Sequence, residues 1–188
     1  MIFETIVTTR SNDGIIHIAP MGIREEDNLV ILAPFKPSTT FDNVIASGFA
    51  VQNFCADVRI FAGCVTGAKR DWPTLPATKV AGVRLRDTLG HSELMLERCD
   101  DDAQRPKLFC RRVHNEHHQP FRGFNRAQAA VIEGAVLISR LHLLPAEKIA
   151  SEWQYLTIAI EKTAGPVELE AWSWLQARLD AHRKAITS

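Results

Sequence analysis

The spacing of apolar residues changes near Phe124, and that change restricts the chain to two kinds of structure in one molecule. Before Phe124, apolar residues come in short runs broken by turn-forming residues. After it they recur at three- and four-residue intervals, the period of a helix. Ile2 to Thr9 is rich in β-branched residues, and Asn12-Asp13-Gly14 supplies residues that tolerate positive φ. The apolar run resumes at Ile15 to Ala19, so the opening predicts a β-hairpin. Glu25-Glu26-Asp27-Asn28 reads as a polar turn before a buried strand, Leu29 to Ala33. Phe49 to Phe54, Val80 to Leu85, Glu93 to Cys99 and Leu108 to Val113 are further strands, the last two flanking the acidic turn Asp100-Asp101-Asp102. Short strands in this order, with few helices between them, predict an antiparallel barrel over residues 1–123.

The remainder, 124–188, predicts a small helical unit. Asn125 is an N-cap for a first helix carrying Ala129, Ile132, Ala135, Val136 and Ile138. A second helix runs from Ala146 to about Thr163, ended by Gly165-Pro166. A third starts at Pro166, a favoured first-turn position. Trp153, Trp172 and Trp174 are expected to fill the helical core or the place where it packs on the barrel. The expected fold is therefore mainly β with α: an antiparallel barrel and C-terminal helices.

Charge narrows the partners. Lys and Arg number 22, as do Asp and Glu, so the net charge is zero. A chain that lives on nucleic acid shows a basic excess or stripe, because it must neutralise phosphates. Nucleic acid is excluded as the main partner on that ground. No run approaches the ~18 apolar residues of a membrane helix, and Met1-Ile2-Phe3-Glu4-Thr5 lacks the basic start of a signal peptide. A cytoplasmic protein is expected, with no membrane partner. Cys55, Cys64, Cys99 and Cys110 form no CxxC pair and read as reduced packing residues.

The segment richest in chemistry is Pro34-Phe35-Lys36-Pro37-Ser38-Thr39-Thr40-Phe41-Asp42-Asn43, directly after a buried strand. Two prolines hold the loop away from helix, and three hydroxyl residues then open a short helical stretch ending before Gly48. A helix N-terminus leaves N–H groups unpaired and attracts an anion. Ser38, Thr39 and Thr40 would add donors and Lys36 a full charge, a composition suited to phosphate. Capping by Ser38 or Thr39 would alone explain the hydroxyls. Two other features keep company with it. His17-Ile18-Ala19-Pro20-Met21-Gly22-Ile23 ends the second strand, with Pro20 and Gly22 marking a turn where a planar aromatic ligand could lie against main chain. Asn53, a polar amide in an apolar strand, must find partners, whether a ligand or a neighbouring loop.

Taken in order, Met21-Gly22, Pro37-Ser38-Thr39-Thr40, Gly48-Phe49 and Asn53-Phe54 on these elements resemble the flavin reductase-like, FMN-binding split-barrel superfamily. More narrowly, Ile2 to Thr9, His17 to Gly22 and Pro34 to Thr40 resemble one member family classed as a domain of unknown function. That family occurs mainly in archaea and in some bacteria, methylotrophs among them. The resemblance is strongest from Met1 to about Gly63, with a weaker echo in Asn125-Arg126-Ala127, Ala130, Glu133 and Arg140. It implies a split barrel that forms a homodimer with FMN between the subunits. It also implies that Ser38, Thr39 and Thr40 hold the phosphate, that Pro20, Met21, Gly22 and Ile23 line the ring, and that Asn53 sits close to the cofactor. Flavin reductases of the superfamily reduce flavin with a nicotinamide, whereas other members only bind FMN or pass electrons. The helical C-terminus is a departure from simple flavin reductases.

His114-Asn115-Glu116-His117-His118 invites a metal reading, since on a helix 114, 117 and 118 would share a face. The stretch follows a strand, precedes Gln119-Pro120 and has no HExxH or Cys partner, so a solvated loop without metal is expected. The sequence thus points to an FMN-binding flavoprotein, an oxidoreductase acting on a small molecule. The alternative is a non-catalytic flavin-binding or scaffold dimer with the same barrel. No side chain is assigned as catalytic acid or base.

Overall fold

In the computed structural model, which describes residues 1–187, local turn chemistry sets the first hairpins. Gly14 takes φ +85° and its N–H donates to the Ser11 carbonyl, closing the turn between β1 (Phe3–Arg10) and β2 (Ile16–Glu26). Asp27 and Asn28 both have positive φ, at 49° and 66°, the two-residue geometry that joins β2 to β3 (Leu29–Leu32) without splaying the strands. The chain then forms α1 (Thr39–Ser47) and β4 (Phe49–Phe54). After α2 (Arg59–Thr66) come the short strands β5 (Thr74–Pro76) and β6 (Val83–Leu85). The long hairpin β7 (Gly90–Asp100) and β8 (Lys107–His117) completes the barrel strands. Three helices follow: α3 (Arg126–Ser139), α4 (Ala146–Thr163) and α5 (Pro166–Thr187).

The chain divides into two units. One consists of Met1–Cys55 and Trp72–Phe121; the other takes Ala56–Asp71 together with the residues from Arg122 onward. In the first unit six strands close in the order β1-β2-β3-β8-β7-β4, every pairing antiparallel. Alternation places Val7, Ile23, Val30, Leu32, Ala50, Leu94, Leu108 and Cys110 in one core, with Val44 of α1 among them. The opposite face of β1, β4 and β7 is covered as well. There β5 and β6 pair with each other, and Val80 packs on Phe49 and Val51.

In the second unit Val58 and Ala62 of the α2 region join Ala127, Val131, Trp153, Trp172 and Leu175 in a separate apolar core. Trp153 and Trp172 stack with ring centroids 4.3 Å apart, and Trp153 Nε1 donates to Gln176. Trp174 is packed only at the edge of that core. Asn125 caps α3 as expected, its side chain accepting from the Ala127 and Gln128 amides.

Three sequence readings are corrected. Pro20 to Gly22 is no turn: β2 continues to Glu26, and Pro20 pairs with Ile6, Met21 with Thr5 and Gly22 with Glu4. His114 to His117 is not loop but the end of β8. Residues 59–66, left without an element in the sequence reading, form α2.

Candidate functional site

At the start of α1 the local chemistry is that of an N-cap. Ser38 has extended backbone, φ −146°, and its Oγ accepts from the Phe41 amide at 3.2 Å. The first intrahelical bond runs from the Asp42 amide to the Ser38 carbonyl, so the amides of Thr39 and Thr40 lie ahead of the helical ladder. The Ser38 hydroxyl accepts in the cap and keeps its own hydrogen to donate. Thr39 is exposed, while Thr40 is buried. Lys36 reaches the same turn: its ammonium lies 4.5 Å from the centre of the Phe41 ring. It is not free, because Asp101 Oδ1 stands 2.6 Å away, and that hydrogen bond holds the Asp101 carboxyl below its usual range. The Lys36 amide donates to the Gln104 carbonyl, fastening the loop to the β7–β8 turn. Donors and one cation thus gather at a helix start, where an incoming anion would displace the Asp101 carboxylate and stand near that of Asp42 in the first turn.

Pro20, Met21 and Gly22 lie on a strand with a partner on one side only. β3 pairs with β2 at Arg24 to Glu26, so among the described residues Pro20 to Ile23 meets a neighbouring strand only through β1. Proline tolerates this setting, since an edge does not require its missing N–H. The side chains are committed unequally. Ile23 is fully buried in the barrel core and Met21 packs against that core. A Cβ on Gly22 would come within 2.8 Å of Ile2 Cγ2 and 3.0 Å of Glu4 Oε1, so the glycine admits those side chains across the pair. What this stretch offers outward is its main-chain edge and Pro20.

Asn53 is wholly buried and wholly engaged. Its Nδ2 donates to the Ile6 and Val51 carbonyls and to Thr8 Oγ1, and its Oδ1 accepts from the Leu85 amide at 2.8 Å. With Thr8, whose hydroxyl donates to the Val83 carbonyl, it pins β6 onto the barrel. Its amide is satisfied by protein, the neighbouring-loop outcome of the two the sequence left open.

Sequence reasoning singled out His114 to His118 but missed the residues of β7 that complete a polar cluster with them. Glu93, fully buried, accepts from the amides of Thr78, Lys79 and Val80 at 2.6, 2.6 and 2.9 Å. Burial opposes its charge, yet these bonds and one from His91 hold its carboxyl below the usual range. His91, also fully buried, places Nε2 3.2 Å from Glu93 Oε1 and Nδ1 2.9 Å from His118 Nε2. Directly across the strand pair, Glu116 faces His91 and His114 faces Glu93. The signal was present as alternation: His91 and Glu93, like His114 and Glu116, stand two apart, which puts each pair on one face of a strand.

Two family domains match the chain: the DUF447 N-terminal domain over residues 3–119 and its C-terminal partner over residues 125–177, both described as protein of unknown function. The chain belongs to the DUF447 family. No curated protein sequence matches it. Among solved structures it is similar to an FMN-bound protein of the same family from Methanosarcina mazei, at 18% identity and TM-score 0.80, covering 94% of both chains. It is also similar to 2-nitrobenzoate 2-nitroreductase from Pseudomonas fluorescens, at 22% identity and TM-score 0.53, over 61% of this chain and 64% of that one. Component B of nitrilotriacetate monooxygenase from Bacillus cereus matches at 16% identity and TM-score 0.53, over 67% and 75%. The DUF447 chain therefore has the flavin reductase-like split-barrel fold, extended by C-terminal helices. None of its described helices is long and apolar enough to cross a membrane.

Proposed function

We propose that this DUF447 chain is an FMN-binding flavoprotein, its cofactor seated in a homodimer, acting as an oxidoreductase on a small molecule. The observation that carries the reading is the start of α1, where the Thr39 and Thr40 amides precede the ladder and the Ser38 hydroxyl keeps a hydrogen to donate. A dianion suits that arrangement, because hydroxyl and amide donors and the helix dipole act on it together. Lys36 would exchange its contact with Asp101 for the phosphate. Support for the flavin itself comes from the FMN-bound relative, and support for redox chemistry from the nitroreductase and monooxygenase component that share the barrel.

In this reading each group of the chain has a limited task. Thr39 and Thr40 bind the phosphate, and the unpaired edge of β2 from Pro20 to Ile23 presents main-chain groups to the ring. Asn53 acts at one remove, by fixing the β5–β6 cover. FMN, when bound, supplies hydride or single-electron transfer, and the protein contributes binding and orientation.

Purified chain is expected to take up FMN, read as the flavin absorption bands and quenched flavin fluorescence. Replacing Thr39 and Thr40 with Ala together should weaken FMN about 10²- to 10⁴-fold, given two hydrogen bonds to a charged group worth about 1.5–3 kcal/mol each. Unchanged affinity in that double variant would remove both threonine hydroxyls from the seat, and unchanged affinity on adding Ser38→Ala and Lys36→Ala as well would place the phosphate elsewhere. Anaerobic mixing with NADH or NADPH then separates a nicotinamide-driven oxidoreductase, whose flavin bleaches, from a flavin store, whose flavin does not.

A further inference from the structure

Outside the proposed flavin seat, His91, Glu93, His114, Glu116 and His118 form a concentrated group of metal-ligating side chains on the barrel unit. Three donor groups converge there: His91, Glu116 and His118 bring one ligand atom each to within 4.8 Å of one another. They come from β7, β8 and the residue just after β8 in fixed register, because His91 pairs across from Glu116 and the His118 amide donates to the Leu89 carbonyl at 2.8 Å. Gly90 permits that approach: a Cβ there would meet the Glu116 carbonyl oxygen at 2.7 Å.

The orientation of His91 is what distinguishes this group from a chance cluster. Glu93 receives three backbone N–H bonds and can offer His91 only an acceptor, so His91 must present Nε2–H to it. The lone pair of a neutral His91 ring then lies on Nδ1, pointing at His118. A carboxylate that fixes the far nitrogen of a ligating histidine is the usual outer support of a zinc site. His118 Nε2, 2.9 Å from His91 Nδ1, supplies the hydrogen that now fills the gap. Moving that hydrogen to His118 Nδ1, which stands 3.9 Å from Glu116 Oε1, frees Nε2 as a second nitrogen donor. No net charge changes in that step.

We propose that His91, His118 and Glu116 form a binding site for one divalent transition metal of the zinc class. Two imidazoles and one carboxylate are the donor set that zinc accepts, and three protein ligands leave a coordination position open. That position has an approach: His118 also lines a depression of about 370 Å³ with His117, Gln119, Pro120 and Phe121. Glu93 is a positioning residue, not a ligand, because its oxygens are already taken by backbone amides. His114 stands outside the proposed set. Its Nε2 is 3.5 Å from Glu116 Oε2 and makes no hydrogen bond, so it borders the carboxylate from the side away from His118 Nδ1's partner oxygen.

The test is titration of the chelator-treated full chain with zinc chloride by calorimetry, followed by cobalt chloride for its visible absorption. One zinc per chain is expected, and His118→Ala and Glu116→Gln should each weaken it at least tenfold, whereas His114→Ala should leave it within twofold. Both His118 and Glu116 keep some exposure, and an unchanged circular dichroism spectrum will show that their variants fold. Cobalt bands of a site with nitrogen and oxygen ligands, lost in His118→Ala, would support the same assignment. Absence of saturable zinc binding overturns it. So does a site lost in His114→Ala and kept in His118→Ala, which would move the metal to the Glu93 side. FMN uptake plays no part in either readout.

Discussion

Asn53 shows how a single buried amide can hold a fold element in place. Its carbonyl oxygen is the acceptor for the Leu85 amide, and its nitrogen serves three oxygens of β1 and β4. Truncation to Ala leaves the Leu85 N–H buried without a partner, at a cost of about 1–3 kcal/mol, beside the lost bonds. Asn53→Ala is expected to lower unfolding stability by about 2–4 kcal/mol in urea, with protease sensitivity appearing in residues 74–85. A variant as stable as the parent would show that β6 is held by other means. The cysteines make a second prediction at this scale. Burial pushes the Cys64 thiol up to about 11 and the Cys110 thiol up to about 12, from an ordinary value of 9.0. At pH 8 both should resist alkylation in the folded chain and react fully in urea. The sign for stability follows: folded values above the unfolded one mean the contribution is intact below pH 9 and lost as pH rises towards 12. Cys110→Ala should make the alkaline part of the stability curve shallower, read by thermal melts across that range.

Helices with their own caps were legible in the sequence, and elements defined by distant partners were not. Asn125 caps α3 with its side chain, and prolines, which need no N–H at a helix start, mark the starts of α4 and α5 at Pro145 and Pro166. Segment α2 has no side-chain cap bond at Val58, and its apolar residues are completed only by helices more than sixty residues further on. Pro20 and Gly22 were misread as a turn because both residues are turn formers. Only the register with β1 reveals a strand edge that tolerates them. The Pro34-to-Thr40 segment was legible as a capped helix start, whereas the commitment of Asn53 and Ile23 to protein needed the β5–β6 cover and the barrel core to be seen. Gly134 in α3 sets two effects against each other. Alanine gains up to about 1 kcal/mol of helix propensity over glycine, but a Cβ there would stand 2.9 Å from Trp172 Cζ3 and 3.3 Å from Leu175 Cδ1. Those are the ring and side chain at the centre of the helical core, where overpacking costs about 1–3 kcal/mol. Gly134→Ala is therefore expected to lower the melting temperature by a few degrees; a rise would show that the Trp153–Trp172 stack yields without loss.

At the scale of the whole molecule, zero net charge at a pI of about 7.1 leaves little electrostatic repulsion to oppose self-association near neutral pH. Apolar side chains also remain uncovered at one end of the barrel unit. Ile15 is 68% exposed, with Ile16 and Ile45 also open. Ile15 and Ile16 lie beside the middle of α1: Arg10 pairs with Ile16, and Asn43 of α1 donates to Thr9 next to that pair. A second copy covering this surface would meet α1, the helix whose first turn carries the proposed phosphate seat. Light scattering should then return twice the mass of one chain for the FMN-loaded protein. Ile15→Asp should shift that mass towards one chain and weaken FMN by tenfold or more. A monomeric variant that keeps the parent's FMN affinity would separate the two properties, leaving a cofactor seat complete within a single barrel. A variant that stays dimeric would assign the pairing surface to another face.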